Sequence, residues 1–301
     1  MTHPRPAMTA EYIARFTILI GCVVLGLKTA AWWVTGSVAL YSDALESIVN
    51  VAASVVALIA LRIAARPADA NHPYGHDKAE FFAATIEGVL IVLAALSIFD
   101  HAWNAWLNPR AFEAPWLGLA LNALATGMNG AWALVLLRAA RRLRSPTLNA
   151  DGMHLMSDVI TSVGVAAGVT AAIVTGYVIL DPIVAGLTGV YVCWAGVSMI
   201  SRSAAGLMDA APDAAIVTRI REIVAEAASG AIEIHDLRTR QAGRISFLDF
   251  HLVVPGAMTV AESHQICDRI EDALRTEMGE LIVTIHVEPE DKAKQRGVPV
   301  L

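Results

Sequence analysis

The chain has 301 residues, of which 56% are hydrophobic and 17% charged, with a formal net charge of −6 and a mean hydropathy of +0.55. So little charge cannot cover the surface of a soluble protein of this length, so a membrane class is expected and a nucleic-acid partner is not. Cys22, Cys193 and Cys267 are scattered without a CxxC pair, which indicates neither a disulfide framework nor a thiolate metal site. No Gly-rich phosphate loop, GxSxG or HExxH occurs, so the expectation is a protein that is not an enzyme and carries no organic cofactor.

Met1 to Thr9 contains Pro4 and Pro6 and no apolar core ahead of a cleavage site, and the first apolar block is longer than a signal peptide. It reads as a retained span. A helix crossing the hydrocarbon core needs about 20 mostly apolar residues. Six stretches qualify: Tyr12–Val34, Val38–Arg62, Phe82–Trp106, Pro115–Leu137, Met153–Val174 and Tyr177–Ile200. Arg62, Arg66 and Lys78 follow the second span, Arg138, Arg141, Arg142 and Arg144 the fourth, and Arg202 the sixth, whereas the opposite loops hold one Arg between them. The positive-inside bias makes the Arg-rich loops, both termini and the tail cytoplasmic.

From Asp209 the rhythm is that of a soluble sequence. Ala214–Ala227 has helical periodicity, Ile232–Arg238 reads as a strand, and Ser246–Val254 alternates. Val260–Thr276 is an amphipathic helix and Leu281–Val287 a β-branched strand. The expected fold is a membrane all-α six-helix bundle over residues 1–208, then a cytoplasmic α+β domain (αββαβ, ferredoxin-like or metallochaperone-like) over 209–291. That domain places helices on one side of a three-stranded sheet. Residues 292–301 are expected as a flexible tail.

Ionisable groups at membrane depth cost about 2.5–3.5 kcal/mol each on insertion scales, so they are rarely accidental. Asp43, Glu46 and Asn50 in span two, and Asp151, His154 and Asp158 at the start of span five, are each spaced three then four apart, hence on one helical face. Facing each other, Glu46, Asn50, His154 and Asp158 offer three oxygens and one imidazole, a four-coordinate set for a borderline divalent ion. The alternative is that they serve helix packing alone. Asn104, Asn122 and Asn129 read as interhelical hydrogen-bonding or interface residues, and Gly21, Gly26 and Gly186 as close-packing positions. After span two, Asp69, His72 and His76 either hold zinc or are surface residues of an irregular loop containing Pro73 and Gly75. In the tail, His235, His251, His264 and His286, with Glu288 two residues past the last, form either a metal set or a scatter of surface groups.

Four motifs in order resemble those of the cation diffusion facilitator family, closest to the bacterial ferrous-iron and zinc efflux branch. They are Gly36-Ser-Val-Ala-Leu-Tyr-Ser-Asp-Ala-Leu-Glu46, Asn71-His-Pro-Tyr-Gly-His-Asp-Lys-Ala-Glu80, Asp151-Gly-Met-His-Leu-Met-Ser-Asp158 and His235-Asp-Leu-Arg-Thr-Arg-Gln-Ala-Gly243. The resemblance covers the chain from span one to about Pro289. It implies a homodimer in the inner (plasma) membrane of a bacterium. It also implies a transport site at Glu46, Asn50, His154 and Asp158, and a loop site at Asp69, His72 and His76. A binuclear tail site would use His235, His251, His264, His286 and Glu288, and Lys78 and Asp209 of the same or the other protomer would form a charge interlock. Where the family's usual second-span pair is Asp or His, then Asp, this chain has Glu46 and Asn50, one formal negative charge fewer than a three-carboxylate version. The histidine-rich loop of many eukaryotic zinc members is absent, and Arg138–Ser145 is short and basic.

The expected function is efflux of a divalent metal from the cytoplasm in exchange for protons, since metal and proton compete for the same ligands. Zn²⁺ and Fe²⁺ fit the closest branch, and Mn²⁺, Co²⁺, Ni²⁺ or Cd²⁺ suit the oxygen-rich site. Bound partners are then metal ions, protons, lipid and a second copy. The rival is a membrane-bound metal sensor that does not transport.

Overall fold

The computed structural model describes residues 6–109, 112–143, 146–242, 245–278, 281–294 and 298–299. The chain divides into two compact units, residues 1–61 with 83–201, and residues 62–82 with 202–301.

The first unit is built from six helices: α1 (Pro6–Thr35), α2 (Val38–Ala64), α3 (Ala79–Leu107), α4 (Pro115–Leu143), α5 (Pro146–Thr175) and α6 (Leu180–Leu207). All six are long and apolar enough to cross a membrane. Ala31, Ala39, Leu40, Ile98, Val165, Val169 and Ala185 bring α1, α2, α3, α5 and α6 together in one buried cluster. Small residues set how closely the helices approach, because lipid gives no hydrophobic drive between them. A Cβ on Gly88 would lie 3.0 Å from the Gly196 carbonyl, and one on Gly118 3.0 Å from the Ala31 carbonyl. The glycines expected in that role divide. Gly21 abuts Val51, but a Cβ on Gly26 or Gly186 would meet nothing within 4 Å, so their faces are not packed on a neighbouring helix.

Large apolar side chains such as Phe16, Leu19, Leu93, Ile160 and Leu187 are exposed around the bundle, the arrangement that lipid as solvent requires. Exposed Trp33, Trp103, Trp106 and Trp116 lie at the last turns of α1 and α3 and the first turn of α4. These ends face away from the basic loops, where an interfacial aromatic belt belongs. At the same end Asp181 of α6 accepts hydrogen bonds from Ser37 Oγ (2.5 Å) and from the amides of Val38 (2.7 Å) and Ala39 (3.2 Å). It caps the exposed N–H groups that open α2.

In the second unit α7 (Ala214–Ala227) and α8 (Val260–Met278) cover one face of a sheet. Its strands are β1 (Glu233–Ala242), β2 (Ile245–Val254), β3 (Leu281–Pro289) and β4 (Val298–Pro299), in the order β3-β2-β1-β4. β1 and β2 are antiparallel, and β2 and β3 parallel. Leu248, Phe250, Leu252 and Val254 meet Ile220, Val224, Ile266, Ile270 and Leu274 in a buried core. Period-two alternation then sends Phe247, Asp249, His251 and Val253 to the other face. The Thr259 hydroxyl and the Glu262 carboxylate close a reciprocal capping box that starts α8.

Two features differ from expectation. The sheet has four strands, because Val298 and Pro299, within the segment expected as a flexible tail, pair with Ile234 and Glu233. β1 also runs on past Arg238 to Ala242, through a bulge. His235 pairs with His251 and Arg238 with Asp249, so Asp236 (φ 53°) and Leu237 share one partner position. The extra residue resets the alternation, leaving His235, Arg238 and Arg240 on the same face.

Candidate functional site

In the helical unit the α2 and α5 stripes meet. Asn50 Nδ2 donates to Asp158 Oδ2 at 2.5 Å, and Asn50 Oδ1 lies 3.2 Å from His154 Nε2. Thr161 Oγ1 donates to Glu46 Oε2 at 3.5 Å. The structure thus links Asn50, His154 and Asp158 directly, with Glu46 one turn further along α2 and within coulombic reach of Asp158. Glu46, His154 and Asp158 do not form a group whose ligand atoms all lie within 4.8 Å of one another, among the described residues. Burial is graded: His154 is exposed, Asn50 half-buried and Asp158 2% exposed. The Asp151 side chain lies outside the described residues.

Asp43, the outer member of the α2 stripe, is not directed at these ligands. Its carboxylate takes Lys28 Nζ of α1 at 2.7 Å, Ser162 Oγ of α5 at 2.7 Å and Asn122 Nδ2 of α4 at 2.5 Å, and Lys28 also donates to Ser162 Oγ at 2.8 Å. Lys28 and Asp43 are each 1% exposed. Sequence reading missed Lys28 and Ser162. The available signal was the single ammonium inside the first apolar span, which needs a buried partner at membrane depth.

The tail gathers a second set. His235 and His251 are register partners across β1 and β2, and His251 and His286 across β2 and β3, with ring centroids 5.2 and 4.9 Å apart. Glu288 faces all three: Oε2 lies 3.2 Å from His235 Nε2, and Oε1 lies 3.2 Å from His251 Nδ1 and 3.6 Å from His286 Nε2. His235 Nε2 and His251 Nδ1 are buried and make no hydrogen bond among the described residues. Two lone-pair nitrogens beside a carboxylate are the donor set a borderline divalent ion takes. His235 Nδ1 lies 3.1 Å from Glu233 Oε1, a second carboxylate that orients the ring and leaves Nε2 as the ligand atom. Glu233 was not singled out in the sequence. His264 stands apart from this set. It is on α8, on the helix-covered side of the sheet, is exposed, and lies 3.7 Å from Asp268. His251 points to the opposite face, so the sheet separates the two within one chain.

In the loop after α2, Asp69, His72 and His76 form a three-ligand group within 4.8 Å. Asp69 Oδ1 accepts from the Asn71 and His72 amides at 2.8 and 2.7 Å, while Oδ2 lies 3.5 Å from His76 Nε2. The His72 amide, above all, holds the Asp69 carboxyl below the usual carboxylate range, so it stays ionised and ligand-competent. His76 Nδ1 is buried without a hydrogen-bond partner among the described residues. This loop packs on the open face of the sheet: the Arg240 guanidinium lies 5.2 Å from the Tyr74 ring and 4.0 Å from the Phe247 ring. Lys78 Nζ and Asp209 Oδ1 are 2.9 Å apart within the same protomer, and Arg240 Nη1 approaches the same oxygen at 3.4 Å.

Residues 14–208 match the family described as the cation efflux transmembrane domain, and residues 212–290 the one described as the cation efflux protein, cytoplasmic domain. The chain belongs to the cation efflux (cation diffusion facilitator) family. It is therefore an integral membrane transporter of cations and not an enzyme. An uncharacterised transporter of Synechocystis sp. is 43% identical over 290 residues, covering 95% of this chain and 94% of that one. The cation-efflux pump FieF of Pectobacterium atrosepticum is 30% identical over 287 residues, 95% of each chain. A solved zinc-form structure of CzrB, a candidate zinc transporter, is 48% identical over 28% of this chain and 96% of that chain, with a TM-score of 0.27.

Proposed function

We propose that this cation efflux protein exports a divalent transition metal, Zn²⁺ or Fe²⁺ first among them, from the cytoplasm in exchange for protons. The observation that carries the reading is the chain of contacts from His154 through Asn50 to Asp158, which joins α2 to α5 at membrane depth. Carboxylates at that depth, Asp158 buried and Glu46 half-buried, need a charge partner, and a passing divalent cation supplies one. The graded burial suits entry from the His154 end, which the basic loops make the cytoplasmic end. Bound metal requires deprotonated ligands, so a proton arriving from outside expels the metal and metal arriving from inside expels the proton.

The protein acts as a homodimer in the plasma membrane, with both termini and the α+β domain in the cytoplasm. Metal held by His235, His251, His286 and Glu288 biases the dimer towards a tighter arrangement, a shift of populations and not a transport step. The two Glu288 oxygens face different histidines, which suits a carboxylate bridging two ions. His264, on the other side of the sheet, joins such a centre only from the second copy. Asp69, His72 and His76 take a further ion at the membrane face. The motif resemblance to the ferrous-iron and zinc efflux branch is what puts those two metals first in the reading.

The test is uptake into proteoliposomes with a proton gradient, run over a panel of Zn²⁺, Fe²⁺, Mn²⁺, Co²⁺, Ni²⁺ and Cd²⁺. Wild type should accumulate at least one ion and His154→Ala none. Metal bound at the tail without uptake of any ion would instead favour the non-transporting sensor.

A further inference from the structure

The layer around Asp43 has no part in that cycle, yet it sits next in line. A rise of roughly 1.5 Å per residue places Asp43 about 4–5 Å beyond Glu46 along α2, away from the His154 entrance. Four helices meet there: α1 gives Lys28, α2 Asp43, α4 Asn122 and α5 Ser162, all no more than 1% exposed. The set of Glu46, Asn50, His154 and Asp158 is therefore exposed at its His154 end and bordered by buried polar groups at its Asp43 end. One of those groups is itself a cation. The Lys28 ammonium and the Asp43 carboxylate both act electrostatically on Glu46 and Asp158.

A structural role alone explains this layer poorly. A buried ion pair is weak support for stability, since well-packed neutral groups of similar volume often do as well or better. The layer is also incompletely satisfied: Asn122 Oδ1 and, one turn on along α4, Thr126 Oγ1 are buried with no hydrogen-bond partner among the described residues. A part-satisfied buried polar network is less favourable than an apolar one, so a reason other than packing is needed.

We propose that the Lys28–Asp43 pair, closed over by Ser162 and Asn122, is the outer gate of the transport pathway. Lys28 is a tethered cation occupying the place next outward from the transported ion. While the pair is closed, the Lys28 ammonium occupies the Asp43 carboxylate, so the next acceptor outward from Glu46 is already taken. When the bundle rocks, α1 draws Lys28 from Asp43. Asp43, the next carboxylate along α2, is then free to receive the departing ion. Lys28 and Asp43 are positioning residues here, since neither touches the ion in the closed state. The inference rests on the transport-site reading above, with entry from the His154 end.

The experiment uses the full chain in proteoliposomes holding a zinc-sensitive and a pH-sensitive dye, with Zn²⁺ outside, so that leak is read as zinc entry not matched by proton exit. Lys28→Met with Asp43→Asn removes both charges at once and avoids a stranded buried ion. Ser162→Ala and Asn122→Ala keep the charges and remove the seal. The double variant should leak about tenfold faster than wild type, and the two single variants by less. Wild-type tightness of the double variant, or lost coupled uptake without added leak, overturns the proposal. Should the double variant not fold, unchanged leak in both single variants overturns it. His154→Ala, run alongside, separates the two readings: wild-type uptake by it sinks the transport site, whereas a silent His154→Ala beside a tight double variant sinks the gate alone.

Discussion

Asn50 sets the character of the proposed transport site. Its amide faces a carboxylate on one side and an imidazole on the other, tying Asp158 to His154 without bringing a charge. The site keeps two carboxylates, Glu46 and Asp158, one fewer than a three-carboxylate version would have. Restoring it with Asn50→Asp adds a negative ligand and one more group from which the ion must displace a proton. Affinity measured by titration calorimetry at neutral pH should rise about tenfold, and should fall more steeply on acidification than in wild type. Equal affinities and equal pH slopes would place Asn50 outside the ligand set. Glu233 plays the corresponding role for the tail by fixing the His235 ring. Glu233→Gln should weaken zinc binding at the tail by roughly 10–100-fold with little change in uptake at saturating metal, as for other partners of metal-bound histidines. Competition with a zinc chelator, set beside proteoliposome uptake, measures both effects.

Among elements, the bulge in β1 and the loop after α2 carry the arrangement. The bulge turns His235 and Arg240 to one face, so a single strand serves the histidine set at one end and the Tyr74–Phe247 stack at the other. Asp209 is joined to Lys78 from the loop and to Arg240 from β1. The Lys78 hydrogen bond, and after it the charges of Lys78 and Arg240, hold the Asp209 carboxyl below its ordinary value. A carboxylate lowered in the folded state stabilises fully above its unfolded pKa, about 3.9, and loses that contribution as pH falls through the lowered folded value. Asp209→Asn should therefore lower thermal stability at neutral pH and converge with wild type in strong acid. A constant difference across that range would mean the interlock does not act through this charge. The pairing was implied by family resemblance and is intrachain here. The bulge was not legible, because a strand that gains one residue breaks the alternation by which strands are read. His264 was grouped with the other histidines because sequence alone does not reveal which face of the sheet a helix covers.

At the scale of the molecule, the six spans and the soluble domain were readable from composition and periodicity, since lipid and water demand such different surfaces. The α2 and α5 stripes were readable for the same reason: carboxylates and an imidazole are conspicuous against an apolar background. Lys28 was harder, because its partners Asp43 and Ser162 lie 15 and 134 residues away and only tertiary packing pairs them. The fourth strand rests on two residues, too few for a periodic signal. Together these features describe a bundle in which polar side chains of α2 and α5 meet inside an apolar shell, next to a second buried polar layer around Asp43. The most direct measurement is X-ray absorption on the full chain loaded with one equivalent of zinc. His72→Ala and His235→Ala are included to remove the competing sites. The account predicts one bound ion per chain, in a shell of one imidazole nitrogen and oxygens, lost in His154→Ala. A shell without histidine, or one unchanged by His154→Ala, would contradict it.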